Sequence, residues 1–376
     1  MNSAGKIFII SVISDLVTDQ RVHRTADSLR KRGMNILLVG RKMKSSLEIQ
    51  SREYKTHRFS LPFEKGPLFY ASYNIRLFFF LLFRKVDVLV SNDLDTLLPN
   101  FLISRIKRIP LFYDSHEYFT EVPELQNRRF VKLLWMMIER KILPRLKNMY
   151  TVNDSIADLY RKKYGIDVSV IRNLPAARQH SMERALRSEY GLPESKRIFL
   201  FQGAGINIHR GAEEALEAML HVNDAVLLFI GSGDVIGELK RRAVSLNLSD
   251  KVFFIPKVPL EKLRGLTRMA DAGLTLDRDS NINYKYSLPN KLFDYIHAGL
   301  PVLASDLPEV RNIVEKYNIG MICKSHDPVV LAEYMNNMFF DKERLDMWRE
   351  NLKLAASDLN WEKEEEKLYD IYRDVL

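Results

Sequence analysis

Short apolar, β-branched runs alternate along this chain with longer segments whose apolar residues recur at helical spacing. In the first half, the short runs predict strands at residues 6–13, 35–39, 86–90, 110–114, 149–152 and 168–171. The segments between them predict helices at residues 20–31, 94–106, 128–143 and 155–164. Strands that are apolar throughout and are joined by helices indicate a parallel sheet covered on both faces.

The same pattern starts again in the second half. Strands are predicted there at residues 197–201, 225–230, 251–254, 273–276 and 301–304. A polar stretch after residues 173–175 (Asn-Leu-Pro) separates the halves. The 376 residues therefore predict an α/β protein of two Rossmann-like, doubly wound parallel-sheet domains, residues 1–175 and 176–359. Because such sheets bind ligands beyond the carboxyl ends of their strands, the loops that follow the strands indicate function.

The glycines of these loops do not follow the dinucleotide-binding pattern. Residues 14–21, after the first strand, contain no glycine, whereas a dinucleotide fold has G-x-G-x-x-G there. The second domain has Gly-Ala-Gly at 203–205, but Ile208 occupies the next required glycine position. A nicotinamide dehydrogenase is therefore disfavoured. Gly-Ser-Gly at 231–233 fits either a tight turn or a loop whose backbone N–H groups reach a nucleotide.

Two cations lie at predicted helix starts of the second domain. Arg210 opens the helix after the first glycine loop, and Lys291 begins a later helix. Because a helix N-terminus favours an anion, the pair suits a diphosphate, although each residue alone also fits a solvated surface cation. In the first domain, His116 follows a buried strand and is flanked by Asp114 and Glu117, which favours a functional histidine.

Several motifs, in order along the chain, resemble those of family 4 glycosyltransferases. Residues 287–295 (SLPNKLFDY) and 298–302 (AGLPV) resemble the donor-site signature of that family. Further matches are Y-D-S-H-E at 113–117, Q-G at 202–203 with R-G at 210–211, I-G-S-G at 230–233, N-L-P at 173–175 and, as in a bacterial subgroup, T-D-Q-R-V at 18–22. The motifs span most of the chain, so their combination is specific.

This resemblance implies the GT-B fold, in which two Rossmann-like domains face each other across a cleft. It implies an acceptor-side domain at 1–175, to which a final helix at 360–376 crosses back, and a donor domain at 176–359. The implied reaction transfers a sugar from a nucleoside-diphosphate sugar to a hydroxyl acceptor, with retention of configuration. No metal and no other cofactor are expected. The expected acceptor is a lipid-linked or envelope glycan intermediate.

The resemblance also assigns donor-side roles to single residues. Arg210 and Lys291 would bind the diphosphate and neutralise the leaving group, and Asp294 would accept hydrogen bonds from the ribose. The nucleotide pocket would be lined by three glycines: Gly203, Gly231 and Gly233. Positioning and electrostatic stabilisation of the departing diphosphate would do most of the catalytic work.

On the acceptor side, the resemblance assigns catalysis to His116, near the transferred sugar. Asp19 and Glu117 are the next catalytic candidates. Arg21, in the first loop, would face the acceptor together with Asp19.

The chain departs from the family pattern at three positions. The family has a motif of two glutamates separated by seven residues, and in this chain the two positions are Tyr286 and Asp294. In addition, Ala204 stands where the family has an arginine. The orientation of the sugar is therefore open, and a shorter carboxylate meets the ribose. The D-x-D triplets at 93–95 and 277–279 look like the metal motif of the other glycosyltransferase fold, but this architecture requires no metal, so both are interpreted as structural.

Charge is distributed unevenly along the chain, whose formal net charge is +9. Residues 1–180 carry 31 Lys and Arg against 17 Asp and Glu, whereas the remainder carries 26 against 31. Residues 128–147 combine seven basic residues with Phe130, Trp135 and other apolar ones, which is typical of a helix at a membrane interface and also of one packed on a sheet. An anionic membrane surface is the expected partner. Nucleic acid is not, because no recognition motif accompanies the charge.

Neither a secretory leader nor a membrane-spanning helix is predicted. Residues 6–14 are apolar but short, and Arg76 interrupts the apolar segment 68–83, which is shorter than the about 20 residues of a spanning helix. Cys323 is the single cysteine and closes an apolar run, so a buried core residue in a reducing compartment is expected. The protein is expected in the cytoplasm, on the inner face of the cytoplasmic membrane.

Two other functions stay open at this point. A nucleotide-sugar epimerase of the same fold would release no free nucleoside diphosphate over time in the presence of an acceptor. A non-catalytic, membrane-bound partner subunit that retains the fold would bind a nucleotide at most and turn nothing over.

Overall fold

The computed structural model describes residues 5–17, 19–126, 128–177 and 184–376, with the backbone alone at 123 and 124. The chain divides into two compact units, Met1–Asn173 with Glu364–Leu376, and Leu174–Lys363. The limits of these units lie two and four residues from the domain limits expected from the sequence.

In its described residues, the first unit contains a sheet of seven parallel strands in the order β3-β2-β1-β4-β5-β6-β7. Its strands are β1 (Ile7–Asp15), β2 (Asn35–Lys42), β3 (Lys55–Ser60), β4 (Val88–Asn92), β5 (Leu111–Ser115), β6 (Asn148–Thr151) and β7 (Ser169–Val170). Its helices are α1 (Gln20–Lys31), α2 (Pro67–Leu82), α3 (Leu94–Lys107), α4 (Pro123–Gln126), α5 (Arg129–Ile142) and α6 (Asp154–Tyr164).

The second unit contains, among its described residues, six parallel strands in the order β10-β9-β8-β11-β12-β13. Its strands are β8 (Arg197–Gly203), β9 (Ala225–Gly231), β10 (Val252–Pro256), β11 (Ala272–Thr275), β12 (Val302–Ser305) and β13 (Gly320–Cys323). Its helices are α7 (Ala212–Ala218), α8 (Ile236–Ser245), α9 (Leu260–Thr267), α10 (Ile282–Lys285), α11 (Asn290–Ala298), α12 (Pro308–Tyr317), α13 (Pro328–Met338) and α14 (Lys342–Asp358). The last helix, α15 (Trp361–Ile371), continues into the residues that belong to the first unit.

The predicted alternation of strands and helices is confirmed in both units. Every residue of β4 and β5 is buried, as expected for strands covered on both faces. Helix α1 begins where the pattern predicts it, because the carboxylate of Asp19 accepts a hydrogen bond from the backbone N–H of Val22. Cys323 lies in the core of the second unit, as predicted.

The structure corrects two details of the prediction. The helix that Arg210 was expected to open begins at Ala212, because Gly211 precedes it with a positive φ of 79°. Strands β3 and β13 and helix α2 were not predicted as elements. The side chains of β3 are mostly half-buried or exposed, so the strand lacks an apolar run, and α2 is apolar on its exposed side too.

Candidate functional site

The glycine loops of the second unit pack backbone against backbone at the carboxyl ends of β8 and β9. The N–H of Ser232 donates to the carbonyl oxygen of Gly203 at 3.1 Å, and that of Ile206 donates to the oxygen of Ser232 at 2.9 Å. Gly231 has a φ of 137°, and a β-carbon there would lie 1.8 Å from the Gly203 oxygen. Likewise, a β-carbon at Gly233 would lie 2.0 Å from the oxygen of Ile206. These glycines are therefore required by loop packing, whatever they contribute to a ligand.

Arg210 and Lys291 converge on one carboxylate, that of Asp277. Arg210 Nη1 lies 3.0 Å from Asp277 Oδ1, and Lys291 Nζ lies 3.5 Å from Asp277 Oδ2. The side chain of Asp277 is 1% exposed. The Arg210 guanidinium lies 4.1 Å from the ring centre of Tyr284, and Lys291 Nζ lies 4.4 Å from that of Phe201. Two cations thus share one buried anion, and the cluster keeps a surplus positive charge.

This arrangement shifts the pKa values of the two cations in opposite directions. Burial lowers the pKa of Lys291, and Arg210 lowers it further, although Asp277 opposes the shift. Burial also disfavours the charge on Arg210, but Asp277 and Tyr284 outweigh it and raise the pKa of the guanidinium. An anion bound between them would favour the charged form of Lys291.

Asp294 lies on the same helix as Lys291, three residues later, and takes part in a network of hydrogen bonds. Gln202 Nε2 donates to Asp294 Oδ2 at 2.9 Å, and Gln202 Oε1 accepts from the hydroxyl of Thr267 at 2.7 Å. The backbone N–H of Gln202 donates to the hydroxyl of Tyr295 at 3.1 Å. A cavity of about 40 Å³ adjoins these hydrogen-bonded residues and is lined in part by Leu263, Arg264, Thr267, Asp294 and Ala298. The carboxylate is thus held in one orientation at the wall of a small cavity.

In the first unit, Arg21 and Asp114 form a buried ion pair that joins α1 to β5. Arg21 Nη2 lies 2.6 Å from Asp114 Oδ1, Nε donates to Oδ2 at 3.1 Å, and Nη1 donates to the carbonyl oxygen of Ile171. Burial would raise the pKa of Asp114, but Arg21 and His116 keep it below its ordinary value. The geometry therefore gives Arg21 a structural contact beneath the surface. Its predicted role toward an acceptor stays a prediction.

His116 lies between two carboxylates, those of Asp93 and Asp114. Nδ1 lies 3.1 Å from Asp93 Oδ2, Nε2 lies 3.3 Å from Asp114 Oδ2, and the side chain is 20% exposed. Burial disfavours the charged ring, but Asp93 and Asp114 outweigh it, so the pKa of His116 lies well above its ordinary value. The ring thus lies between two carboxylates and reaches the surface at the carboxyl end of β5.

The structure places the other two catalytic candidates in local contacts. The Asp19 carboxylate caps α1 through Val22 and accepts a hydrogen bond from the Ser14 hydroxyl at 2.6 Å. Glu117 is half-buried, and its carbonyl oxygen accepts from the Ser115 hydroxyl at 2.8 Å. Both lie at the carboxyl edge of the first sheet, and their catalytic roles stay predictions.

Sequence reasoning missed the two carboxylates that organise these clusters. Asp93 and Asp277 were each interpreted as part of a structural D-x-D triplet. In the structure Asp277 holds Arg210 and Lys291, and Asp93 holds His116. The available signal was that Asp277 directly follows a predicted strand and Asp93 lies three residues after the end of another, because the carboxyl ends of parallel strands meet at one edge.

Two family models match the chain. Residues 182–354 match the family described as Glycosyl transferases group 1. Residues 19–174 match the family described as Glycosyltransferase Family 4. Together the two matches cover most of both units.

The chain is also similar to single proteins. It is 22% identical over 218 residues to a D-inositol 3-phosphate glycosyltransferase of Xylanimonas cellulosilytica. This match covers 55% of this chain and 49% of the relative. It is 28% identical over 149 residues to a putative colanic acid biosynthesis glycosyl transferase, WcaI, of Escherichia coli. This match covers 39% of this chain and 36% of the relative. The chain therefore spans half or less of the length of these curated relatives.

The fold is shared with a solved structure over nearly its whole length. The crystal structure of Anabaena HepE in complex with UDP superimposes with a TM-score of 0.72 at 13% identity, and covers 98% of this chain and 100% of that one. This likeness and the two parallel α/β units confirm the predicted GT-B fold.

Proposed function

The chain belongs to the glycosyltransferase families of group 1 and family 4, and we propose that it transfers a sugar from a nucleoside diphosphate to a hydroxyl acceptor, with retention of configuration. The observation that carries this proposal is the convergence of Arg210 and Lys291 on Asp277. The surplus positive charge of this cluster suits the diphosphate of a nucleotide sugar. UDP in the HepE crystal structure, which has the same fold, supports a nucleotide-sugar donor.

The proposed chemistry needs no metal. The bond from the anomeric carbon to the phosphate oxygen breaks, the bond to the acceptor oxygen forms, and the hydroxyl proton is released. Negative charge then develops on the departing diphosphate, where Arg210 and Lys291 stabilise it. Asp294, oriented by Gln202, accepts from the ribose, and His116 contributes to the transition state of transfer.

A thermal-shift panel of nucleoside diphosphates and nucleotide sugars identifies the donor, because a ligand of the folded state raises Tm by mass action. The best donor is then incubated with candidate acceptors in the presence of a chelator, and NMR gives the anomeric configuration of the product. Steady release of nucleoside diphosphate together with a retained product supports the proposal. Sugar epimerisation without such release, or activity lost to the chelator and restored by magnesium, would overturn it.

A second surface supports a membrane-associated acceptor. Helices α2, α3 and α5 of the first unit lie side by side. Their exposed sides carry large apolar residues: Leu68, Ile75, Phe79, Leu98, Leu102, Ile106, Phe130, Leu133, Leu134 and Met137. An apolar surface of this extent is typical of an interaction site rather than of a solvated face.

The C-terminal ends of the same helices are basic. The basic residues there are Arg84, Lys85, Arg105, Lys107, Arg108, Arg140, Lys141, Arg145 and Lys147. The ends adjoin one another, because Lys107 donates to the carbonyl oxygen of Arg84 and Arg105 donates to that of Arg145. Apolar side chains next to clustered cations favour a surface of anionic lipid.

In the described part of the chain, no helix is both long and apolar enough to cross a bilayer. We propose that this three-helix surface docks on the inner face of the cytoplasmic membrane, and that the acceptor is a lipid-linked or envelope glycan. The name of the WcaI relative, which refers to colanic acid biosynthesis, agrees with such an acceptor.

Vesicle sedimentation tests the docking proposal. Binding to anionic vesicles should exceed binding to neutral ones and fall with added salt. Exchanging the four basic residues Arg140, Lys141, Arg145 and Lys147 for Gln should weaken binding and leave donor affinity unchanged. A matched control exchanges four exposed cations of the second unit: Arg241, Lys262, Arg349 and Lys353. Equal loss in both variants, or equal binding to neutral vesicles, would contradict the proposal.

A further inference from the structure

The backbone of Asp93 adopts a conformation that is otherwise essentially reserved for glycine. Its φ is 57° and its ψ is 166°, a region that a β-carbon disfavours. Asp93 also precedes α3, where an aspartate ordinarily accepts a hydrogen bond from the first helical turn. Among the described residues of that turn, no such capping bond to its side chain is present. Asp93 thus has neither a relaxed backbone nor the usual role of a helix cap.

Its carboxylate is engaged by His116 instead. Asp93 Oδ1 accepts the backbone N–H of His116 at 2.8 Å, and Oδ2 lies 3.1 Å from its Nδ1. On the far side of the ring, Nε2 lies 3.3 Å from Asp114 Oδ2. A neutral imidazole would turn a lone pair toward one of these carboxylates. Nε2 makes no hydrogen bond with the described residues in this geometry, so the closeness of two carboxylates, with Nδ1 facing Asp93, is what favours the charged ring.

Carboxylates outnumber the cations around the ring, even when the ring is charged. The charged and titratable groups come from every element packed around it: Arg21, Asp93, Asp95, Asp114 and Glu117. Arg21 pairs with Asp114, which leaves Asp93 to be balanced by His116. Burial, together with the charge of Asp93, raises the pKa of Asp95 well above its ordinary value, which favours its neutral form.

We propose that Asp93 is a positioning residue that, together with Asp114, holds the ring of His116 as an imidazolium. His116 then supplies a fixed positive charge to the reacting centre and exchanges no proton with the substrate. This inference rests on the proposed function, in which His116 takes part in transfer. Because the protonation of the ring is measured without turnover, the inference and the proposed function fail separately.

The direct test is a pH titration of the full-length, ¹⁵N-labelled protein, followed by NMR of its histidine ring nitrogens. The chain has 8 histidines, and His116→Gln identifies the signals of His116. Both of its ring nitrogens should stay protonated from about pH 6 to about pH 8, where an ordinary histidine loses its proton. A neutral His116 ring below about pH 7 in the wild-type protein would overturn the inference. Full turnover of His116→Gln would instead overturn the proposed role of His116 in transfer.

Asp93→Asn tests which carboxylate holds the charge. The amide oxygen can still accept the N–H of His116, but the amide NH₂ group then faces Nδ1, and two donors cannot bond each other. The pKa of His116 should therefore fall, its NMR signals should titrate near neutral pH, and turnover should decrease as pH rises through that titration. A His116 ring that stays charged up to about pH 8 in this variant would show that Asp93 does not hold the proton.

Asp93→Gly separates the carboxylate from the backbone conformation. Glycine adopts a φ of 57° without strain, so the variant should remain folded, while kcat falls about 10²-fold and KM for the donor changes little. Asp224→Gly is the matched control, because Asp224 also has a positive φ, 48°, at the opposite end of a strand in the second unit. Its turnover should equal that of the wild type. A folded Asp93→Gly variant with wild-type kcat would overturn the positioning role.

Discussion

Each of the two units has a cluster of cations and carboxylates at the carboxyl edge of its own parallel sheet. The two clusters differ in the ratio of positive to negative charges. In the first unit, Arg21 pairs with Asp114, and His116 lies between Asp114 and Asp93. Each cation there has an anion of its own. These four side chains therefore find their partners among themselves, without a ligand.

The cluster of the second unit is incomplete by comparison. Arg210 and Lys291 share the single carboxylate of Asp277, so cations outnumber anions. Burial also lowers the pKa of Lys291, whereas the pKa of His116 in the first unit is raised. This contrast agrees with the two proposals that the second unit binds an anion and that His116 in the first unit carries a fixed charge.

The largest expected effect is the loss of a cation in the second unit. Arg210→Ala and Lys291→Ala should each slow transfer by about 10²-fold or more, because each removes a preorganised charge contact to the leaving group. Both variants should also lose the rise in Tm that a nucleoside diphosphate causes in the wild-type protein. Lys353→Ala, an exposed cation on α14, is the control. An unchanged nucleotide response in both site variants would remove the contrast between the units.

The matching change in the first unit should separate turnover from binding. His116→Gln should reduce kcat by about 10²-fold, since a positioned charge at the reacting centre is lost. Its affinity for nucleoside diphosphate, measured by calorimetry, should stay unchanged, because the anion-binding cations lie in the other unit. Weaker nucleotide binding in this variant would contradict the division of roles.

Asp277→Asn should affect folding more than binding. Removing the shared carboxylate leaves two partly buried cations without an anion, which should lower the free energy of unfolding by about 3 kcal/mol. Saturating nucleoside diphosphate should recover much of this loss, because the ligand supplies the missing negative charge. Chemical denaturation with and without ligand measures both effects. Equal destabilisation under the two conditions would show that the diphosphate binds elsewhere.

The smallest expected effect is a pH dependence of donor binding. Because the pKa of Lys291 is lowered in the free protein, its charge is present at low pH and is lost as pH rises through that pKa. Donor affinity should therefore decrease with rising pH, by up to about tenfold if one charge contact is lost. Lys291→Arg should abolish this dependence, since a guanidinium stays charged. Calorimetry across the pH range compares the two proteins, and an identical slope in both would exclude Lys291 as its source.

The fold was predictable where local signals agree with the tertiary environment. Helix α1 follows from its apolar spacing and from Asp19 as its cap, and β4 follows from a continuous apolar run. Strand β3 at the sheet edge and helix α2 with its apolar exposed side lack the expected alternation, so pattern reasoning missed both. Strand β3 pairs with β2 and helix α2 packs on α3, so their places depend on neighbouring elements rather than on their own apolar patterns.

The sequence was enough to select the candidate site residues, but not to predict which side chains they contact. A helix start and a cation point to Arg210 and Lys291 as anion ligands. Nothing local indicates that both share Asp277, which lies 67 residues after Arg210. In the same way, the flanking residues pointed to His116, but nothing local indicates its contact with Asp93, 23 residues earlier.

The crossed backbone bonds between the loops after β8 and β9 make these loops one mechanical element. The amides of Ser232 and Ile206 are each bonded across the loop pair, so neither loop can open without breaking the bonds of the other. Hydrogen exchange at both amides should therefore occur through one shared opening event. A ligand that touches only the Gly203 loop should slow exchange in the Gly231 loop as well. Nucleotide binding would then lower the exchange rate in a loop that the nucleotide does not contact.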